Sequence, residues 1–117
     1  MRYTLNMKAI ADFANFDSLD IRVGRIVKIE DAETRKPTYR MTIDFGDQIG
    51  IKTSCGAYRH YSKEALVGKL VIGVLNFAPK KMGTEVSEVL MLGVSGTTGE
   101  VIYLAPESEV PVGVAVF

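Results

Sequence analysis

The chain has too little cysteine and histidine for chemistry that depends on either. Its single cysteine, Cys55, cannot form an internal disulfide, and its single histidine, His60, cannot lead a metal site that needs several ligands. No apolar run approaches the roughly 20 residues of a membrane span. Residues 1–16 lack the basic start and long apolar centre of a signal peptide. There is no internal repeat, no low-complexity segment, and no glycine-rich phosphate loop of the P-loop or dinucleotide type. These absences predict a cytoplasmic protein with no cofactor, no metal and no membrane span. A nucleophilic Cys55 would need a base and an oxyanion site, and apart from His60 nothing supports a triad. Cys55 reads instead as a small buried residue, and the chain as a non-enzymatic binding protein.

Net charge is also lacking. Fourteen Lys and Arg balance fourteen Asp and Glu, which argues against a strongly basic nucleic-acid binder. The charges are nevertheless segregated. Residues 52–81 hold six basic residues (Lys52, Arg59, Lys63, Lys69, Lys80 and Lys81) against Glu64 alone, and residues 82–117 hold five acids and no Lys or Arg. Such a field attracts phosphate even on a neutral molecule. It could equally be matched internally by the acidic end of the chain.

What is present suits one domain with a core: 117 residues, 47% of them apolar. Residues 6–16 have a helical pattern, with Asn6 as N-cap and Met7, Ile10, Ala11 and Ala14 on one face, widened by Phe13 and Phe16. A helix that short needs a partner surface. Ile21, Val23, Val27 and Ile29 alternate as a strand, and Gly24 suggests a bulge or a sharp bend. Tyr39, Met41, Ile43 and Phe45 alternate with polar residues, the pattern of an antiparallel strand with one wet face. Ile49, Ile51 and Thr53 continue on the next strand. Ser62 caps a short helix at residues 63–66. Residues 70–77 form a buried strand, residues 86–92 another, residues 93–99 a turn and residues 101–104 a further strand. The expected fold is all-β, a small barrel or sandwich of five or six short strands with a short helix between the third and fourth. A five-stranded oligonucleotide-binding (OB) barrel has this arrangement, though periodicity alone does not choose it over another small barrel.

Pro79 has no N–H for a ladder and stops the strand before it. Lys80 and Lys81 follow at once, and Gly83-Thr84 supplies a turn. The sequence therefore predicts both lysines on an exposed loop between two core strands. Such a loop is a common place for binding residues, and more often still a solvated hairpin tip.

Three blocks carry a resemblance: Leu19-Asp-Ile-Arg-Val-Gly-Arg-Ile26; Ile43-Asp-Phe-Gly-Asp-Gln-Ile-Gly-Ile-Lys52; and Asn76-Phe-Ala-Pro-Lys-Lys-Met82 with Ser87-Glu-Val-Leu-Met-Leu-Gly93. Together they resemble the tRNA-binding-domain family, whose OB-fold members are appended to methionyl- and phenylalanyl-tRNA synthetases or stand free as dimers. Within it the chain is most similar to the free-standing CsaA branch, described as an export-related chaperone. One departure is shared with that branch. The synthetase-appended domains typically place Gly-Met where Val89-Leu90 follow Ser87-Glu88 here.

The resemblance implies an OB barrel at residues 17–117, an N-terminal helical extension at residues 1–16, and tRNA as partner. It carries Asn76, Lys80, Lys81 and Ser87 over as nucleic-acid-binding residues. The lysines would contact phosphates without reading sequence. Asn76 could instead brace its loop, and Ser87 could be a satisfied strand-edge hydroxyl. Lys52 and Arg40 are expected on the wet sides of their strands, extending the positive face. Tyr58, Arg59, His60 and Tyr61 could stack on unpaired bases, or pack their rings and wet only the hydroxyls. The alternative implied by the resemblance is a chaperone that binds extended peptides of export precursors, or a translocation component, with Met82, Met91, Tyr58 and Tyr61 as an adaptable lining. Finally, Met7, Ile10, Phe13 and Phe16 at one end, and Val110, Val112, Val114, Val116 and Phe117 at the other, are expected outside the barrel. Left exposed they form an apolar patch that a homodimer would cover.

Overall fold

Alternation builds the wall. In the computed structural model, which describes residues 6–117, Tyr39, Met41 and Ile43 of β2 (Tyr39–Asp44) are buried while Arg40, Thr42 and Asp44 are only half-buried. β2 pairs antiparallel with β1 (Ile21–Asp31) on one side and β3 (Ile51–Gly56) on the other. β1 pairs also with β4 (Leu70–Val74), and β4 with β7 (Leu90–Met91), giving the order β3-β2-β1-β4-β7. The two outer edges then approach each other. The amides of Glu88 and Val89 both donate to the Thr53 carbonyl, at 2.9 and 3.2 Å, and the Cys55 amide donates to Ser87 Oγ at 3.0 Å. The five-stranded antiparallel barrel is thereby nearly closed. Its centre is filled by Ile26, Met41, Ile43, Phe45, Leu66 and Val71, all fully buried. Leu66 comes from α2 (Lys63–Leu66), between β3 and β4 as expected, where Ser62 Oγ caps the Ala65 amide at 3.1 Å.

Several local expectations are corrected. Gly24 is not at the bulge; the β1–β2 register shifts between Ile26 and Lys28. A Cβ on Gly24 would lie 2.5 Å from Ile43 Cγ2 and 2.7 Å from Phe45 Cε1, so close packing requires the glycine. Ile51 pairs with Asp44 and faces outward, 62% exposed. The buried strand expected to reach Phe77 ends at Val74. The single strand expected over residues 86–92 is two pieces, β6 (Glu85–Ser87) and β7, parted where Glu88 and Val89 turn their amides to β3. Residues 93–95 form β8 (Gly93–Ser95), paired with β9 (Val101–Tyr103), rather than a turn.

Both ends also differ. The N-terminal helix is only α1 (Phe13–Asp17), and Asp12 at its N-cap makes no side-chain capping bond. Residues 7–11 lie in no regular element. Met7, Ile10 and Phe13 are exposed, so no packed face supports a longer helix. Residues 1–5 of the expected extension lie outside the described residues. The C-terminal end is not free of the barrel: the Gly113 and Val116 amides donate to the Val23 and Ile21 carbonyls, and the Val23 amide donates to the Val114 carbonyl. It runs along β1 beside residues that β2 leaves unpaired. Val112 and Val116 are half-buried there, while Val114 and Phe117 remain exposed.

Candidate nucleic-acid interface

After Pro79 the chain forms β5 (Lys80–Met82), which pairs with β6 as a hairpin outside the barrel sheet. Gly83 makes the turn with φ +67°, a left-handed conformation that suits glycine. The lysines are therefore strand residues at a hairpin tip rather than a loop. This matters because neighbours on a strand face opposite sides. Lys80 shares its side with Met82, Glu85 and Ser87, and Lys81 shares the other with Val86. Both lysines are exposed, and among the described residues neither has an ion-pair partner within 4.0 Å.

Lys80 overlooks a groove of about 390 Å³ between the hairpin and the end of β3. Tyr58, Phe77, Met82, Ser87, Leu90 and Met91 contribute to its lining. Phe77 and Leu90 are 48% and 51% exposed, so the groove offers apolar surface beside a cation. Tyr58 is core rather than platform: it is 3% exposed, and burial followed by the neighbouring Tyr61 pushes its phenol up to about 12. Met91 is buried too and shows only an edge to the groove.

The remaining expected site residues are mostly committed to structure. Asn76 braces: its Nδ2 donates to the Ser18 carbonyl and its Oδ1 accepts the Asp20 amide, both at 2.8 Å. Ser87 Oγ accepts the Cys55 amide and donates to the Val89 carbonyl at 3.3 Å. Arg40 is not a free cation on a wet face. Its Nη1 donates to both Glu85 oxygens at 2.9 and 2.8 Å and its Nε to Glu30 at 3.3 Å. Those bonds, Glu85 first, raise its pKa. The Arg40 bond is likewise the largest cause lowering Glu30, whereas Glu85 is lowered first by the Glu33 amide and then by Arg40. Arg59 donates to the Thr38 carbonyl at 2.7 Å, lies 5.4 Å from the Tyr39 ring centroid and pairs with Asp31 at 3.8 Å. Tyr61 packs against Tyr103 and His60 at centroid distances of 5.4 and 4.3 Å, away from the hairpin. Lys52 pairs with the buried Ile43 and shares its side of the sheet, so it is half-buried at the strand end rather than on the wet face. Cys55 is half-buried, and burial raises its thiol pKa, which suits an inert thiol.

Thus the structure gathers Lys80, Met82, Ser87, Tyr58 and Met91 at one groove, with Lys81 on the hairpin's far side and Asn76 bracing below. It separates Arg40, Arg59, Lys52 and Tyr61 from that groove. Sequence reading missed Phe77 and Leu90, whose apolar character suggested burial. It also missed Arg35 and Lys36, exposed on the β1–β2 connection, and the buried Glu85. Arg35 and Lys36 lie outside the positively charged segment of residues 52–81, and only the adjacent Arg-Lys-Pro turn signal at residues 35–37 could have drawn attention to them.

Comparison with known proteins agrees with this geometry. The family described as "Putative tRNA binding domain" matches residues 21–115. The chaperone CsaA of Picrophilus torridus is 38% identical, with TM-score 0.87 over 92% of this chain and 100% of that one. The chaperone CsaA of Bacillus anthracis is 36% identical, with TM-score 0.87 over 93% and 100%. The methionine–tRNA ligase of Chlorobium phaeovibrioides is 29% identical over 90% of this chain, which spans only 15% of the ligase. A near-closed barrel, a cationic hairpin beside an apolar groove, and a family match across nearly the whole barrel lead to one conclusion: the chain belongs to the tRNA-binding domain family.

Proposed function

We propose that this chain is a non-catalytic tRNA-binding protein that acts as a homodimer, gripping the phosphate backbone with Lys80 and Lys81. The observation that supports this best is the pair's placement: two exposed lysines without ion-pair partners among the described residues, held on a paired hairpin rather than a loose loop. Structured RNA is recognised largely through shape and phosphate contact. Phe77 and Leu90 give an unpaired base an apolar surface beside Lys80. Amide-resonance mapping with unfractionated tRNA tests the assignment. Residues 77–90 shift on binding if the hairpin is the contact; shifts confined elsewhere remove it from the site.

A second reading has its own support. The groove lining is mainly apolar, with Phe77, Val89, Leu90 and two methionines, and the two CsaA relatives are called chaperones. An extended peptide of an export precursor would lie along this groove. Salt separates the readings: tRNA binding that weakens steeply with salt favours the first, and saturating peptide binding that no salt concentration alters, with tRNA binding absent, favours the chaperone role.

A further inference from the structure

Glu85 is an acid where a phosphate-binding surface has no use for one. It sits on the hairpin that carries Lys80 and Lys81, directly opposite Met82. Its side chain is only 7% exposed, turned under the hairpin onto the outer side of β2. There Arg40 donates to both carboxylate oxygens at 2.9 and 2.8 Å. The Glu33 amide donates to Oε2 at 3.0 Å. Glu30 holds the other side of the guanidinium at 3.3 Å, and Cys55 Sγ lies 4.0 Å from Glu85 Oε1. One carboxylate therefore ties together the hairpin, the barrel wall and the β1–β2 connection. That connection carries Arg35 and Lys36, exposed on the rim of a second groove of about 780 Å³ that Glu33, Gly56, Ala57, Met82 and Gly83 also help line.

The geometry points to Glu85 as the positioning residue that sets the spacing between the Arg35–Lys36 rim and the Lys80–Lys81 hairpin. It pre-organises both for one anionic chain that runs from the Arg35–Lys36 rim across the Gly83 turn to the exposed lysines. This rests on the tRNA reading above. A hairpin of three-residue strands has little internal stability. Untied, it would have to be ordered on binding, at a cost in affinity. A buried, doubly bonded carboxylate holds it in advance, and Arg40 leaves the phosphate-facing charge set in order to do so.

The test joins amide hydrogen exchange on the free full chain with titration of unfractionated tRNA, for wild type, Glu85→Gln and Glu85→Ala. Glu85→Gln should speed exchange in residues 33–38 and 80–87, leave Ile26, Met41 and Ile43 unchanged, and weaken tRNA binding about tenfold. Glu85→Ala, which also removes the acceptor for the Glu33 amide, should exceed it in both readouts. The direction is decisive. Either substitution removes an acid and releases Arg40, so electrostatics alone would tighten tRNA binding. Tighter or unchanged binding overturns the assignment, as does unchanged exchange in the two segments or faster exchange throughout the barrel. If wild type itself shows no salt-dependent tRNA binding, the tRNA reading fails on that titration, and the exchange data still decide whether Glu85 ties the two rims.

Discussion

Lys80 and Lys81 are neighbours in sequence but opposites in space, and their separate effects follow from that. Each replaced by alanine should lower the salt slope of tRNA binding by about one unit if both touch phosphate. If the ligand stays within the groove, only Lys80→Ala changes the slope, because Lys81 faces the other side of the hairpin. Fluorescence titrations at several salt concentrations separate the two cases. Cys55→Ala should leave tRNA binding intact and cost about 1 kcal/mol or less of stability, read from denaturant midpoints, because the thiol is only half-buried. Tyr58 gives a pH signature. Its folded pKa of about 12 lies above the ordinary 10, so its contribution is fully present below pH 10 and fades as pH rises through the interval to 12. Tyr58→Phe should flatten that alkaline loss in a melting series. At this scale the sequence was partly legible. Lys80 and Lys81 could be read as exposed because Pro79 and Gly83 bracket them, but not as paired strand residues. The commitments of Arg40 and Arg59 could not be read, because their partners Glu85 and Thr38 lie 45 and 21 positions away and meet them only through the fold.

Among elements, β2 was legible throughout because alternation of buried and wet residues fixes a register on its own. β4 was legible up to Val74. Beyond it, Leu75 and Phe77 extend the apolar run without a partner strand, so composition overstated the element. Gly24 stands out in the sequence as a bulge or a sharp bend, whereas the register shift falls between Ile26 and Lys28. The constraint on Gly24 is the Ile43 and Phe45 side chains crossing above it, which local sequence does not reveal. Gly24→Ala should therefore destabilise by about 1–3 kcal/mol through overpacking. A Gly24→Ala midpoint equal to wild type would place the constraint elsewhere. The Glu85–Arg40–Glu30 cluster adds an acid dependence to the hairpin. Both carboxylates are lowered from 4.5, so their contribution is present above that pH and lost as pH falls below it. Lys28, 3.6 Å from Glu30, belongs to the same set. Hairpin amides should lose exchange protection in acid before those of the barrel core.

At the scale of the molecule, the proposed dimer draws on exposed apolar residues: Met7, Ile10 and Phe13 near one end and Phe117, at 106% exposure, at the other. Light scattering on the full chain should give twice the chain mass at micromolar concentration. Removal of residues 1–15 or 111–117 should lower it; the second truncation also strips the backbone bonds to β1 and is to be read beside a melting curve. A full-length monomer would contradict the dimer and leave the hairpin untouched. The central claim is phosphate gripping by a rigid hairpin, and one titration bears on it most directly. Unfractionated tRNA is titrated against wild type and the Lys80→Ala/Lys81→Ala double variant across a salt series. Wild-type affinity should fall steeply with salt, and the double variant should lose up to about two units of slope while melting as wild type does. A flat wild-type response, or an unchanged slope in a folded double variant, would contradict it.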